Sequence, residues 1–135
     1  MSETTNSFIV SPSIFPFNEE IVIAKRGDSL TLPCWTTGYP SPLISWLKDG
    51  HPVTVIVDDF DLNEDSKNSK DIQFEGQHEN LILKNIGLST SGFYSCIASN
   101  EAGQDIFNYT IIVYGKRLFS IAFTFLIYLL FSLNI

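Results

Sequence analysis

Residues 92–96, with the sequence Gly-Phe-Tyr-Ser-Cys, constrain the fold more than any other part of this chain. A tyrosine two residues before a cysteine, with a glycine two residues before the tyrosine, is typical of a strand that leaves a tight corner. Gly92 takes the bend, the Tyr94 hydroxyl bonds back to upstream main chain, and Cys96 points into a core. Upstream, Cys34 is the only other cysteine, and Trp46 follows it by twelve residues. Together these four residues are the strongest fold signal in the sequence.

Short stretches of alternating apolar and polar residues, separated by turn residues, recur along residues 8–114. Such alternation places every second side chain on the same face of a strand. Eight or nine short strands with regular turn signals predict an all-β sandwich. The predicted strands include residues 8–10, 21–24, 30–35, 44–47, 52–57, 71–74, 81–85, 94–98 and 105–114. The predicted core includes Leu32, Trp46, Leu83 and Tyr94.

The order of Cys34, Trp46, Tyr94 and Cys96 resembles the immunoglobulin fold. The resemblance spans residues 8–114 and is closest to the intermediate (I-set) subclass. It implies a two-sheet Greek-key sandwich in which a Cys34–Cys96 disulfide joins the sheets and Trp46 packs against it. Three segments carry the subclass pattern: residues 46–50 (Trp-Leu-Lys-Asp-Gly), 81–85 (Leu-Ile-Leu-Lys-Asn) and 99–103 (Ser-Asn-Glu-Ala-Gly).

The segment at residues 102–110 is most similar to the repeats of hemicentin-type matrix proteins. Related repeats occur in cell-adhesion receptors and in muscle giants such as titin. In one respect the chain departs from the family, which usually has an aspartate two residues before the corner glycine, paired with an arginine across the sandwich. Thr90 occupies that position here. A partly exposed ion pair contributes about 1 kcal/mol or less, so we expect the fold to form without it.

Charge and cysteine content limit the function classes. The formal net charge of −7 opposes binding to the phosphates of nucleic acid, and no basic stripe counters it. Two cysteines alone could be free thiols or one bridge; with a tryptophan between them, we favour the bridge. A bridge indicates an oxidising compartment, outside the cell or at its surface. Closing so long a loop would stabilise the fold by about 4 kcal/mol.

The amino terminus shows no targeting signal for the oxidising compartment that a disulfide indicates. Residues 1–7 are polar and predicted to be disordered. A secretory signal needs a basic start and an apolar run of about 7–15 residues. The apolar residues here are interrupted by Pro12 and Pro16, so no signal peptide is visible.

Two surface features predict interaction sites. Leu47, Ile97 and Ile112 face outward on three neighbouring predicted strands, and apolar residues on an outward face suggest a protein partner, homophilic or heterophilic. The same residues could instead be scattered apolar surface without a function. Asn108 begins an Asn-Tyr-Thr sequon and points outward, which predicts N-glycosylation if the chain is secreted.

Other candidate sites have simpler explanations. The run Arg26, Gly27, Asp28 and Ser29 spells the short integrin-recognition sequence, but we favour a turn at Gly27 and no integrin partner. An acidic segment could ligate calcium, yet it lacks the glycine-spaced loop of an EF-hand and is better explained as a solvated loop. Its acidic residues are Asp58, Asp59, Asp61, Glu64 and Asp65. No catalytic set, metal-ligand spacing or cofactor motif is recognisable, so we expect neither an enzyme nor a cofactor.

The carboxyl-terminal tail, residues 118–135, contains 18 residues without a charge. It would span about 27 Å as a helix and is at the lower limit for a transmembrane helix. The basic linker at 115–117 precedes it and nothing basic follows. The positive-inside rule would then place the sandwich in the cytosol, in conflict with a disulfide. A lipid-anchor signal would need a polar spacer of about 8–12 residues, and only Lys116 and Arg117 follow Gly115.

A further interpretation is that the tail is translated intron. Gly115 and Lys116 can be encoded by GGTAAG, which contains a splice-donor sequence, and the residues beyond are those that AT-rich noncoding sequence would yield. The chain would then be a fragment of a longer protein, which would also explain the missing signal peptide. Both this interpretation and a membrane anchor stay open.

These features predict a non-catalytic protein-binding module that acts outside the cell in adhesion or matrix assembly. One alternative is a spacer repeat of an intracellular muscle giant, in which the cysteines would stay reduced and Asn108 would be bare. Another is a secreted ligand-binding domain.

Overall fold

The computed structural model describes residues 8–15, 20–54 and 71–133, and the side chains of residues 116–123 lie outside that description. β-Strands dominate the described residues, as the alternation predicts. A 3₁₀ turn at Leu88–Thr90 precedes the bend at Gly92 and Tyr94, which we call the tyrosine corner. The strands are β1 (Val10–Phe15), β2 (Ile21–Lys25), β3 (Leu30–Pro33), β4 (Trp35–Tyr39), β5 (Leu43–Lys48), β6 (His51–Pro52), β7 (Ile72–Glu75), β8 (Asn80–Leu83), β9 (Gly92–Asn100) and β10 (Gly103–Tyr114).

The described strands form three sheets that enclose one core. A five-stranded sheet has the order β2-β10-β9-β5-β6, a three-stranded sheet has the order β3-β8-β7, and β1 pairs with β4. All pairs are antiparallel except β10 and β2, which are parallel. This is the predicted immunoglobulin-like sandwich, and the fold class is confirmed.

The strands predicted at residues 8–10 and 21–24 belong to different sheets, and the first of them starts later than expected. Residues 8 and 9 precede β1, which begins at Val10 and runs through Pro12. The pairing of β1 with β4 is irregular between Val10 and Ser13. Proline has no N–H for the ladder, so an irregular pair is where a strand can accommodate it. The strand predicted at residues 8–10 thus starts later and extends further along the chain than expected.

Buried apolar side chains from both main sheets form the core between them. The four predicted core residues are all buried: Leu32 is 1% exposed, Trp46 2%, Leu83 3% and Tyr94 2%. Burial of one such large side chain stabilises the fold by roughly 1.5–3 kcal/mol. The remaining buried residues are Ile14, Ala24, Cys34, Leu81, Ile86, Cys96, Ala98, Tyr109, Ile111 and Val113.

The strand predicted at residues 52–57 differs from expectation in the part that the structure describes, residues 52–54. His51 and Pro52 form β6 and pair with the end of β5, and Val53 and Thr54 follow without strand geometry. Val53 instead donates its N–H to the carbonyl of Trp46 (2.9 Å) and packs against the core. The rest of this prediction, the solvated acidic loop and the amino-terminal residues 1–7 all lie outside the described residues.

A helix, α1 (Lys116–Leu133), follows β10. It begins inside the segment predicted as a basic linker, because Lys116 and Arg117 are already helical. Its side chains from residue 124 to 133 are exposed. Within the part of the chain that the structure describes, no helix has both the length and the apolarity to cross a membrane.

Candidate functional site

A disulfide joins the two sides of the sandwich beneath the candidate binding surface. It links Cys34, between β3 and β4, to Cys96 on β9, with the two Cα atoms 6.2 Å apart. Both cysteines are completely buried. Trp46 lies directly opposite Cys96 in the β5–β9 register. The bridge and the indole therefore form one buried layer, as the resemblance implies.

Trp46 is held by contacts on two sides. Its indole Nε1 donates a hydrogen bond to the main-chain carbonyl of His78 (2.9 Å), and its ring stacks on Tyr109 with centroids 6.1 Å apart. A buried indole N–H needs such an acceptor, because an unpaired buried donor costs about 1–3 kcal/mol. The orientation of Trp46 is thus fixed by both ring stacking and a hydrogen bond.

The tyrosine corner forms at the start of β9. The Tyr94 hydroxyl donates to the carbonyl of Thr90 (2.8 Å), as the sequence predicts. Burial, assisted by the negative charge of Asp49, raises the pKa of Tyr94 well above its usual value. The hydroxyl therefore stays protonated and remains a donor throughout the physiological range.

Thr90 has its own role where the family usually carries an aspartate. Its hydroxyl accepts a hydrogen bond from the N–H of Gly87 (3.0 Å), which closes the 3₁₀ turn. The ammonium of Lys48 donates to the carbonyl of Ser89 and lies 5.7 Å from the centre of the Tyr94 ring. A neutral capping bond and a cation above an aromatic ring therefore hold the corner.

A second buried tyrosine ties the sheets together. Tyr109 on β10 donates its hydroxyl to the carbonyl of Pro33 on β3, 2.5 Å away. Its burial raises the pKa to about 12. Alternation along β10 predicts that Tyr109 points inward, but it gives no partner for the hydroxyl, since the sequence does not show which carbonyl faces it.

The outward surface of the five-stranded sheet carries many apolar side chains. Of the three predicted residues, Ile112 is 47% exposed, whereas Leu47 and Ile97 are partly buried on the same surface. Larger exposed side chains accompany them, including Phe93 at 65% and Ile106 at 50%. We call this surface the apolar face; its exposed side chains are Ile21, Ile23, Leu43, Phe93, Ile106 and Ile112.

Strand register places these residues in rows across the sheet. Ile97 lies opposite both Ser45 and Ile106, and Phe93 lies opposite Thr110, which in turn lies beside Ile21. The outward positions of residues 21–23, 43–47, 93–99 and 104–112 carry no charged side chain. In a chain of formal net charge −7, an uncharged strip of this extent is a distinct surface.

Asn108 lies in the middle of the apolar face. Its side chain is exposed, and its Oδ1 accepts a hydrogen bond from the Ser95 hydroxyl directly across the strand pair (2.7 Å). The sequence predicts its outward direction. It does not show that Asn108 separates the exposed Ile106 from the exposed Phe93, because that placement depends on the β9–β10 register.

The integrin-like tripeptide forms the turn between β2 and β3. Gly27 has a φ of +92°, a left-handed value that favours glycine, and donates its N–H to the carbonyl of Ile86 (2.8 Å). Asp28 accepts from the N–H of Ile86 through its main-chain carbonyl (3.0 Å). The turn that we predicted at Gly27 is thus present, with Arg26 and Asp28 both exposed.

The described residues offer no metal centre. Among them, no group of three or more histidine, cysteine, aspartate or glutamate side chains is placed to hold an ion. Nδ1 of His51 lies 3.0 Å from the main-chain carbonyl of Asp49, and the ring of His78 packs edge-on against Phe74. The acidic residues considered for calcium, at 58–65, are outside the described part of the chain.

Comparison with known proteins identifies the fold family. The family profile described as "Immunoglobulin domain" matches residues 11–100. The chain belongs to the immunoglobulin domain family. The match begins in β1 and ends at the last residue of β9, so it includes both cysteines, Trp46 and the tyrosine corner.

The relatives of this immunoglobulin domain are parts of much larger proteins. It is similar to human hemicentin-1, with 33% identity over 70% of this chain and 1% of the relative, and to rat neural cell adhesion molecule 1, with 33% identity over 69% and 10%. It is equally similar to the muscle M-line assembly protein unc-89 of Caenorhabditis elegans, with 33% identity over 70% of this chain and 1% of that protein. The chain thus spans only a small fraction of the length of these relatives.

Solved structures agree on the architecture of this immunoglobulin domain. Sidekick-1 immunoglobulin domains 1–4 match with a TM-score of 0.64 at 22% identity, covering 78% of this chain and 25% of that one. The insect immune protein hemolin matches with a TM-score of 0.62 at 23% identity, covering 78% and 23%. At such low identity these matches show the fold alone.

Proposed function

We propose that this immunoglobulin domain is an extracellular adhesion or matrix module that binds protein through the apolar face. The proposal rests on the exposure of Phe93 and Ile106 on a sheet surface whose outward positions at residues 21–23, 43–47, 93–99 and 104–112 carry no charged side chain. An apolar strip of this kind favours contact with another protein surface. The disulfide beneath it keeps the two sheets from separating, so the face is presented as a rigid platform.

The partner that we propose is a second copy of this chain. A face that is uncharged lets two chains of net charge −7 approach without placing like charges directly opposite each other. A self-complementary patch of this kind can form a two-fold contact, in which both partners use the same residues.

The size of the face predicts a weak contact. Four neighbouring strands at about 4.8 Å spacing and about six residues at about 3.3 Å rise give a footprint of about 19 Å by 20 Å. Two such faces would bury roughly 800 Å², which is below the range of stable interfaces and fits a transient one. Weak contacts become effective when many copies act together on opposed surfaces, which is the situation in cell adhesion.

The extracellular setting is supported by the disulfide, because such bonds persist in oxidising compartments. The similarity to hemicentin-1 and to neural cell adhesion molecule 1 is consistent with that setting. The similarity to unc-89 favours a second candidate, a spacer repeat in an intracellular muscle protein. Mass measurement on native protein separates the two through Cys34 and Cys96, which the spacer would keep reduced and the extracellular module would keep bonded.

Bead aggregation tests the binding proposal. The full chain, produced in bacteria and refolded under oxidising conditions, would be coated on beads. We expect these beads to aggregate, and Ile106→Asp to abolish aggregation by placing a charge in the face. Leu88→Asp is the matched control, because Leu88 is similarly exposed at 55% but lies on the 3₁₀ turn outside the face. The proposal fails if wild-type beads stay dispersed or if Ile106→Asp aggregates as well as wild type; in the latter case aggregation comes from elsewhere.

A further inference from the structure

Asn108 combines a sequon with the geometry that N-glycosylation requires. Its side chain is exposed on β10, and the hydrogen bond from Ser95 occupies Oδ1 rather than the amide nitrogen. Among the described residues, Nδ2, the atom that becomes modified, has no hydrogen-bond partner. Tyr109, the middle residue, points into the core and leaves the approach open, while Thr110 shares the outward side with Asn108.

The surroundings of Asn108 give its modification a consequence. Ile106 and Thr110 are its neighbours along the same side of β10, at about 6.6 Å from the strand rise. Phe93 and Ile97 are its diagonal neighbours on β9, at about 7–8 Å. A group attached to Asn108 would therefore stand among the exposed apolar side chains that form the apolar face.

We propose that Asn108 carries an N-linked glycan and that its presence closes the apolar face to a second copy of the chain. The second part rests on the proposed function, whereas the modification itself does not. The donor is a lipid-linked oligosaccharide diphosphate. The Nδ2–C1 bond forms as the bond from C1 to the carrier phosphate breaks, the carrier diphosphate leaves with the electron pair, and the amide loses one proton.

The glycan would close the apolar face because it is larger than the space between two packed sheets. Two sheets that pack face to face lie about 10 Å apart, a space that side chains alone fill. A branched, hydrated oligosaccharide on each copy cannot be accommodated there, because glycans are bulky and stay in water. In the separate molecule the same glycan covers part of Phe93 and Ile106. The fraction of unmodified Asn108 thus sets the fraction of molecules that can associate.

The first measurement is occupancy of the sequon. The full chain is expressed behind a secretory leader in animal cells as wild type, Thr110→Ser and Thr110→Ala. We expect wild type and Thr110→Ser, which keeps the sequon, to show added mass that a peptide N-glycosidase removes. Thr110→Ala should lack it. A wild-type chain that enters the secretory pathway without added mass would overturn the inference and leave the proposed function standing.

The second measurement compares association of the same proteins on beads. Glycosylated wild type and Thr110→Ser should stay dispersed, and Thr110→Ala should aggregate as the bacterial protein does. Adding Ile106→Asp to Thr110→Ala should abolish that aggregation, which shows that the apolar face and not α1 is responsible. Equal aggregation with and without the glycan would show that the glycan does not close the apolar face to a second copy, while the proposed function would survive. Dispersion of every form, the bacterial protein included, would refute self-association, and closure with it, while occupancy would stand on its own result.

Discussion

The carboxylate of Asp49 lies 2.8 Å from the position that a Cβ atom on Gly92 would occupy. That carboxylate also accepts the N–H of Phe93 (2.9 Å), so it cannot move away without breaking this bond. Gly92 itself has a φ of +150°, which side chains rarely adopt. The glycine of the tyrosine corner is thus required both by its backbone conformation and by its neighbour.

We expect Gly92→Ala to lower the free energy of unfolding by about 2–4 kcal/mol. Backbone strain accounts for about 1–3 kcal/mol and the weakened hydrogen bond for about 1 kcal/mol. Gly87→Ala is the control, because Gly87 has a φ of −133° and an added Cβ would meet nothing within 4 Å. Urea denaturation measures both variants. Equal stability of the two variants would contradict the prediction, because neither the backbone conformation of Gly92 nor its contact with Asp49 would then affect the free energy of unfolding.

Reduction of the Cys34–Cys96 bond should destabilise the domain by about 4 kcal/mol. The bond closes a loop across a sequence separation of 62 residues, and its loss gives the unfolded chain more conformational freedom. Denaturation with and without reductant measures the difference. The double variant Cys34→Ala/Cys96→Ala should be insensitive to reductant. An unchanged wild-type midpoint under reducing conditions would contradict the prediction.

Stability should fall as pH rises from about 10 to about 12. Burial raises the pKa of Tyr109 to about 12 from its usual 10.0. The unfolded chain therefore releases this proton first, and the folded state, which retains it, loses stability with increasing pH. The slope from one such group is at most about 1.4 kcal/mol per pH unit. Tyr94 contributes in the same direction, because its pKa is also raised.

Tyr109→Phe should make this pH dependence shallower, as measured by denaturation at several pH values. It should also lower the stability at neutral pH by about 1 kcal/mol, because the carbonyl of Pro33 loses its donor. Tyr39→Phe is the matched control, since Tyr39 is 61% exposed. If both variants keep the wild-type slope, titration of Tyr109 does not contribute to it.

The sandwich could be predicted because its signals are local. The spacing of Cys34, Trp46, Tyr94 and Cys96 specifies the buried layer, and period-two alternation specifies which side chains face it. The ends of the strands were harder to predict. Pro12 lies inside β1 because pairing with β4 tolerates an irregular step there, and this depends on a strand distant in sequence.

The candidate face was only partly predictable. Alternation indicates that Ile97 and Ile112 point outward, but exposure depends on what neighbouring strands place beside them. Phe93 and Ile106 are more exposed than Ile97 and Ile112. By alternation, Phe93 points to the same side of β9 as Ile97, and Ile106 to the same side of β10 as Ile112. The bond from Tyr109 to Pro33 could not be predicted, because it joins strands in different sheets that are 76 residues apart.

The position of β10 determines how the domain would transmit a pull along the chain. At one end of the sandwich, beside the β9–β10 turn, the main-chain carbonyl of Val10 accepts a hydrogen bond from Asn100. Tyr114, eleven residues along β10 from Gly103 and thus about 36 Å away, lies at the opposite end, where its carbonyl accepts a hydrogen bond from the main-chain N–H of Arg26. Tension between chain segments attached before Val10 and after Tyr114 would therefore run lengthwise through the sandwich. It would load the parallel β2–β10 hydrogen bonds together, in shear, instead of opening them one at a time.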